Sequence, residues 1–343
     1  MRRVADKLLL KFGERIVTMK TLPGAFNCTA FMTMTDKKHK YMLKKYFLKK
    51  NDRRDRLATE FGGLTFLWSR GFRNIPKPVI ADKKEKVGVY SFIEGKKLRG
   101  KDIKLNDVLK ASKLIGQMSK LNRVKGASLQ PIASEACFSI RSYMGLVEKR
   151  MERLESSRAG GPIGSAMKEF VKNELEPFFS QVKRFVIVNS LKLKMDRTRV
   201  LSKIERTLSP SDVGFHNILR DNKGRIYFID LEYFGWDDPA KTISDFFLQP
   251  DSPMPIKFRR RFFESIKRYF DKDKGLVGRL PLVYALLSVK WCQIILNVFL
   301  GVGEGRGRIV FERQLNKAKK QLHNTVREFT DLEFPLSLVN EVK

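Results

Sequence analysis

Within the stretch Ser209 to Pro239 (SPSDVGFHNILRDNKGRIYFIDLEYFGWDDP), three side chains have types and spacing suited to phosphate chemistry. They are Asp212, Asn217 five positions later, and Asp230 at the end of the apolar run Ile226-Tyr227-Phe228-Ile229. An aspartate on a loop can accept the proton of a substrate hydroxyl, while an amide and a second carboxylate can hold Mg²⁺ against nucleotide phosphates. The turn residues Asp221-Asn222-Lys223-Gly224 predict a tight hairpin whose strands are Ile218-Leu219 and Ile226 to Ile229. Asn217 enters that hairpin and Asp230 leaves it, so both candidate metal ligands emerge at the same end. His216, inside the loop, is read as structural.

The elements that must position these groups follow from periodicity. Leu22 to Phe31 and Met32 to Thr35, then a charged turn over Asp36 to Lys40, then Tyr41 to Phe47, carry strand-like alternation. A turn between two apolar strands, with a lysine inside the second, is what a nucleotide-covering hairpin needs. Asp52 to Ser69 is a predicted helix with Leu57, Phe61, Leu64, Phe66 and Leu67 roughly on one face, and it carries Glu60. Strands follow near Val79 to Ala81 and Val87 to Ile93, the second broken by Glu94-Gly95.

From Leu105 onward the period becomes helical: Leu105 to Val124, Ile140 to Leu154, Gly164 to Val188 with an interruption near Pro177, Phe258 to Phe270, Leu282 to Phe299 and Arg313 to Phe329. Ser156 to Gly164 reads as a loop. Gly301 to Arg308 is glycine-rich but lacks the G-K-[ST] ending of a phosphate loop, and is read as a flexible connection.

D-x-x-x-x-N, an apolar strand, I-D-x-E and then D-P resemble the catalytic segment of the aminoglycoside phosphotransferase and choline kinase-like family, relatives of the protein kinases. The phrases SDVGFHN and FIDLEYFGWDDPAK are similar to a bacterial branch of these phosphotransferases associated with surface-polysaccharide gene clusters. The resemblance implies an α+β, two-lobed protein kinase-like fold. Residues 1–93 would form a small nucleotide-binding lobe with an antiparallel sheet, and residues 94–343 a larger, mostly helical catalytic and acceptor-binding lobe.

By the same resemblance Asp212 is the catalytic base, and Asn217 and Asp230 are Mg²⁺ ligands. Lys44 and Lys45 compete for the phosphates; the family's apolar-Leu-Lys pattern selects Lys44, and strand periodicity turns Lys45 to the opposite face. Glu60 becomes the partner of the strand lysine. Gly24 and Asn27 resemble the family's loose G-x-x-N loop. Ser91, Phe92 and Ile93 resemble the hinge whose backbone holds the adenine. The implied reaction moves the γ-phosphoryl group of ATP, with GTP as an alternative, to a hydroxyl of a small-molecule or glycan acceptor, sugar-like or anionic.

Glu232 would orient water or metal, and Asp245 would begin a helix that braces the catalytic loop. The chain departs from the family at one point: Pro210-Ser211-Asp212 stands where the family usually has H-G-D, so the histidine that supports the loop is absent. The H-R-D form of the protein kinases is absent too.

At 343 residues the chain is long enough for two domains or one two-lobed unit, and 42% hydrophobic residues place it among globular proteins. Sixty-nine Lys and Arg against 37 Asp and Glu give a net charge of +32, which sustains a strong positive surface potential. Two readings follow: a basic solubilising surface, or an anionic partner such as a phosphorylated glycan, an anionic membrane surface or nucleic acid. Both disfavour a polycationic substrate, aminoglycosides included. A rival to the enzyme is a basic binding protein of the same fold without turnover, and the intact Asp212, Asn217 and Asp230 set argues against it.

Cys28, Cys137 and Cys292 are widely separated, with no metal-binding spacing, and are expected to be reduced. The opening MRRVADKLLLKFGERI has too short an apolar run for a secretory signal, so a cytoplasmic location is expected. Leu280 to Leu300, interrupted by Lys290, Gln293 and Asn297, is expected to be buried helix rather than a membrane span.

Overall fold

The alternating segments near the N-terminus form three strands in a computed structural model that describes residues 2–23, 27–48, 54–301 and 307–341. These are β1 (Ile16–Leu22), β2 (Cys28–Thr35) and β3 (Lys40–Tyr46), preceded by α1 (Arg2–Leu9). After α2 (Arg56–Ser69), strands β4 (Pro78–Asp82) and β5 (Val87–Ser91) complete an antiparallel sheet of order β1-β2-β3-β5-β4. Successive β3 side chains face opposite sides. Leu43 is buried with Ala5, Leu8 and Leu9 of α1 against Val87 and Val89, while Lys44 and Tyr46 turn toward α2. Lys45, on the Leu43 side, pairs with Glu85 at the edge.

Helix α2 starts later than its apolar pattern predicts, because the Asp55 carboxylate accepts the Ala58 amide at 3.0 Å and caps the first turn. Its inner face joins the main core through Leu64, Phe66 and Leu67. One contact sets how closely α2 approaches the other lobe: a β-carbon at Gly63 would come within 2.6 Å of the buried Phe234 ring.

The remaining chain is mostly helical. It contains the short β6 (Lys96–Lys97), α3 (Leu105–Ser119), α4 (Ile140–Glu155), α5 (Gly161–Phe170), α6 (Glu176–Lys192), β7 (Thr207–Ser209), β8 (Ile218–Arg220), β9 (Ile226–Phe228), β10 (Gly235–Asp237), α7 (Pro239–Leu248), α8 (Ile256–Ile266), α9 (Leu276–Ile295) and α10 (Arg308–Thr330). The expected hairpin is β8 and β9, in register from Ile218 opposite Phe228 to Arg220 opposite Ile226.

Pro177 does not break the helical run. A π-helical turn over residues 171–175 joins α5 to α6, and this wider turn accommodates a ring that would clash with a regular α-helical carbonyl. Asp245 lies in the second half of α7 rather than at its start. Asp238 caps that helix instead, accepting the Ala240 amide at 2.8 Å.

Helix α9 and the turn after it, Leu276–Phe299, are long and apolar enough to cross a membrane, yet 89% of the most apolar window is buried inside the protein. Lys290 and Gln293 are buried with it, against Asp245 and the Val147 carbonyl, as expected of a core helix. The three cysteines are buried and unpaired.

Gly63→Ala is expected to destabilise the protein. Alanine favours a helix interior by about 1 kcal/mol, but overlap with a fully packed ring costs about 1–3 kcal/mol. The thermal unfolding midpoint should fall, and an unchanged or higher midpoint would show that Phe234 can withdraw.

Candidate active site

Two short strand pairs hold the residues singled out in Ser209 to Pro239. β7 pairs antiparallel with β10, which anchors the start of the loop at Ser209 opposite Gly235. At the other end the Ile229 amide donates to the Asn217 carbonyl at 2.9 Å. That bond brings the residue before Asp230 to Asn217, so the two candidate ligands meet at one end of the β8-β9 hairpin. Asp230 has φ +64°, a left-handed backbone uncommon for a residue other than glycine and often found where function constrains the chain.

Asn217 is oriented by its own loop. Its Nδ2 donates to the Asp212 carbonyl at 3.0 Å, which leaves Oδ1 without a protein partner among the described residues. Asp230 uses Oδ1 for Lys44 at 2.7 Å and keeps a side chain two-fifths exposed on the cavity floor. One amide oxygen and one carboxylate oxygen therefore remain for a hard cation. This suits Mg²⁺, which takes few protein ligands and fills its shell with water and phosphate oxygens. Among the described residues no cluster of three or more acidic, histidine or cysteine side chains offers an all-protein metal cage.

Lys44 binds both lobes. Its Nζ donates to Glu60 Oε1 and Oε2 at 2.7 and 2.9 Å and to Asp230 at 2.7 Å. Burial opposes the Lys44 charge, but Asp230 and Glu60 override it and hold the ammonium well above the ordinary lysine range. Asp230 is correspondingly kept below the usual carboxylate range, burial being outweighed by Lys44. Burial raises Glu60 despite its cation partner. Tyr46 donates to Glu60 at 2.6 Å and lies 2.8 Å from the Tyr90 hydroxyl, so a buried tyrosine pair steadies the glutamate. The alternation that turned Lys45 away also placed Tyr46 on the Lys44 face, although neither tyrosine was anticipated as a support.

A cavity of about 900 Å³ opens over this floor, lined among others by Asn27, Asp212, Asn217, Asp230 and Glu232. Asn27 donates to Glu232 at 2.6 Å and to the Tyr233 hydroxyl at 2.8 Å, tying the loop before β2 to the loop after β9. Burial and the neighbouring Asp230 charge push the Glu232 carboxyl up to about 7. The Asp212 carboxylate faces the cavity with His216 Nε2 at 3.4 Å, and that imidazole is also 3.2 Å from Gln249.

Gly24 lies outside the described residues. Ser91 ends β5, Phe92 and Ile93 follow it, and none of the three lines this cavity. The amides of Ser91 and Phe92 already donate to the carbonyls of Lys77 and Lys40, at 2.8 and 3.2 Å.

Behind the Asp212 side of the cavity lies a buried ionic ladder that periodicity did not reveal. Asp237, Lys241 and Asp245 are spaced four apart and pair at 2.7 and 3.1 Å; Lys290 and Trp291 reach Asp245 at 3.0 and 2.9 Å. The i, i+4, i+8 alternation of charge in DDPAKTISD was a local signal for the ladder. Its burial depends on α9, 45 residues further along.

Replacing Lys44 by methionine leaves Glu60 buried beside Asp230 without a cation. Lys44→Met is expected to cost about 3–5 kcal/mol in denaturant unfolding without nucleotide, and Lys44→Met/Glu60→Gln should regain a large part of it. Equal losses in the two variants would show that the charge on Glu60 is not what Lys44 supports.

No protein-family model matches the chain, and no curated protein matches it. Solved structures do. A spectinomycin phosphotransferase in complex with ADP and spectinomycin aligns with a TM-score of 0.66 at 14% identity, over 95% of this chain and 99% of that one. The choline kinase LicA of Streptococcus pneumoniae aligns with a TM-score of 0.60 at 16% identity, over 94% and 98%. An amicoumacin kinase in complex with AMP-PNP, Ca²⁺ and Ami aligns with a TM-score of 0.57 at 14% identity, over 95% and 97%. The chain thus has the two-lobed, protein kinase-like α+β fold that these small-molecule phosphotransferases and choline kinases share.

Proposed function

We propose that this chain is an ATP- and Mg²⁺-dependent phosphotransferase that moves the γ-phosphoryl group to a hydroxyl of a small, polar acceptor. The observation that carries the reading is one cavity wall bearing the Asp212 carboxylate, the Asn217 amide and the Asp230 carboxylate, with the Lys44 ammonium locked between Glu60 and Asp230 just behind it. The names of the structural neighbours, kinases and phosphotransferases of antibiotics, choline and ethanolamine, support it.

In this reading Lys44 holds phosphate oxygens by its charge, and the Asn217 and Asp230 oxygens hold the metal. Bound Mg²⁺ supplies neutralisation of the phosphate charge. Asp212 orients the acceptor hydroxyl and takes its proton. Most of the acceleration comes from positioning and charge, as is usual for phosphoryl transfer.

The cavity's own charge bears on the acceptor. Its basic lining residues, Arg54, Lys97, Arg99, Arg150, Lys241 and Lys290, are matched in number by Glu135, Asp212, Asp230, Glu232, Asp245 and Asp251. Several are already paired, as Arg150 is with Glu135. The net charge of the chain is therefore not concentrated here, and a neutral or zwitterionic polyhydroxyl acceptor of the sugar type fits better than a polyanion.

The test is thermal unfolding with Mg-ATP and Mg-GTP. Stabilisation of the wild type that is largely lost in Asp230→Ala is expected, since ligand at a hundred times Kd contributes about 2.7 kcal/mol. Asp212→Asn should keep that stabilisation and lower kcat by roughly 10²–10⁴-fold on whichever sugar or sugar alcohol is phosphorylated. Absence of any shift at millimolar nucleotide would favour a binding protein without turnover, to be examined by nucleic-acid and anionic-vesicle binding across a salt series.

A further inference from the structure

The residue before Asp212 has a backbone that argues for a specific role. Ser211 has φ +66°, in the left-handed region where a β-carbon is strained and glycine is not. What serine brings to this position that glycine would lack is its hydroxyl. Ser211 Oγ accepts from Lys241 Nζ at 3.0 Å and donates to the Ser134 carbonyl at 3.3 Å.

Lys241 is only 1% exposed, and its other two ammonium hydrogens go to Asp237 at 2.7 Å and Asp245 at 3.1 Å. Asp245 is in turn gripped by Lys290 and Trp291 of α9. The position of the ammonium is therefore set from β10, α7 and α9 together. The next residue of α7 repeats the tie: Thr242 Oγ1 donates to Ser209 Oγ at 3.0 Å, and that oxygen also accepts the Ser211 amide at 3.0 Å. Asp212 itself is fixed mainly through its backbone, its amide donating to Pro210 and its carbonyl accepting from Asn217, both at 3.0 Å. The strained serine is thus the link between a rigid buried ladder and the carboxylate that faces the cavity.

We propose that Lys241 is a positioning residue, which clamps the Ser211 hydroxyl and thereby holds the backbone that carries Asp212, and that serine occupies this left-handed position for the sake of that clamp. The proposal rests on the reading of Asp212 as the base. It also accounts for a catalytic loop with no histidine before the aspartate, since the support comes from a lysine on α7.

The decisive variant is Ser211→Gly, which relieves the backbone while removing the hydroxyl, so that the relieved strain offsets the buried Lys241 donor left unpaired and stability changes little while activity falls. Its thermal midpoint is expected to stay within a few degrees of the wild type, with Mg-ATP stabilisation and the KM for ATP unchanged and kcat at least tenfold lower. In the nucleotide-free protein, amide-exchange protection at residues 211 and 212 should fall at least tenfold, with the rest of the chain unaffected. Lys241→Met should reproduce the kcat loss at a lower midpoint, and Lys241→Arg should restore part of kcat. A Ser211→Gly enzyme with kcat within twofold of wild type, or with unchanged protection at these amides, would overturn the clamp. If the wild type transfers no phosphoryl group to any acceptor, it is the functional reading that fails, and the exchange measurement alone still decides the clamp.

Discussion

A lysine ammonium withdrawn from water is stable only when nearby carboxylates repay its lost hydration, and Lys44 is placed where two of them converge from different parts of the chain. Glu60 comes from α2 and Asp230 from the loop after β9, so the ion triad joins the sheet, a helix and the Asp230 segment in one contact. Much else in the small lobe serves that meeting. Leu43 and its α1 cover fill the outer face of the sheet, which leaves Lys44 and Tyr46 on the inner one, and the missing side chain at Gly63 lets α2 approach Phe234. The Tyr46 and Tyr90 hydroxyls supply the hydrogen bonding a buried glutamate needs.

The large lobe solves a second problem of the same kind. Asp237, Lys241, Asp245 and Lys290 are all essentially inaccessible, and burial pushes the Asp237 carboxyl up to about 6 even beside its lysine. Such a network is favourable only when each member is satisfied. Here its remaining donor reaches Ser211, in the loop that carries Asp212. The hydrophobic helices α7 and α9 therefore do more than fill the core: they carry fixed charges to the underside of the site, where solvent-exposed side chains would be screened and mobile.

The charge of the whole molecule and the charge of its cavity differ in kind. The overall excess of +32 is spread over outward-facing lysines and arginines, while basic and acidic groups balance around Asp212. Composition alone pointed toward an anionic partner. The geometry separates the question of what the surface attracts from that of what the cavity accepts.

Much of the site was legible before any fold. The spacing of Asp212, Asn217 and Asp230 around an Asp-Asn-Lys-Gly turn determines a hairpin, because a two-strand ladder with a tight turn brings its ends together whatever surrounds it. Strand alternation separates Lys44 from Lys45 for an equally local reason. The rest was decided by tertiary structure. That Lys44 reaches Glu60 and Asp230 at once, that Asn27 closes on Glu232, and that Lys290 completes the ladder beneath Ser211 are contacts between segments far apart in sequence. Periodicity records which face of an element is buried but not which element covers it, and the energy of a buried charge depends on that partner.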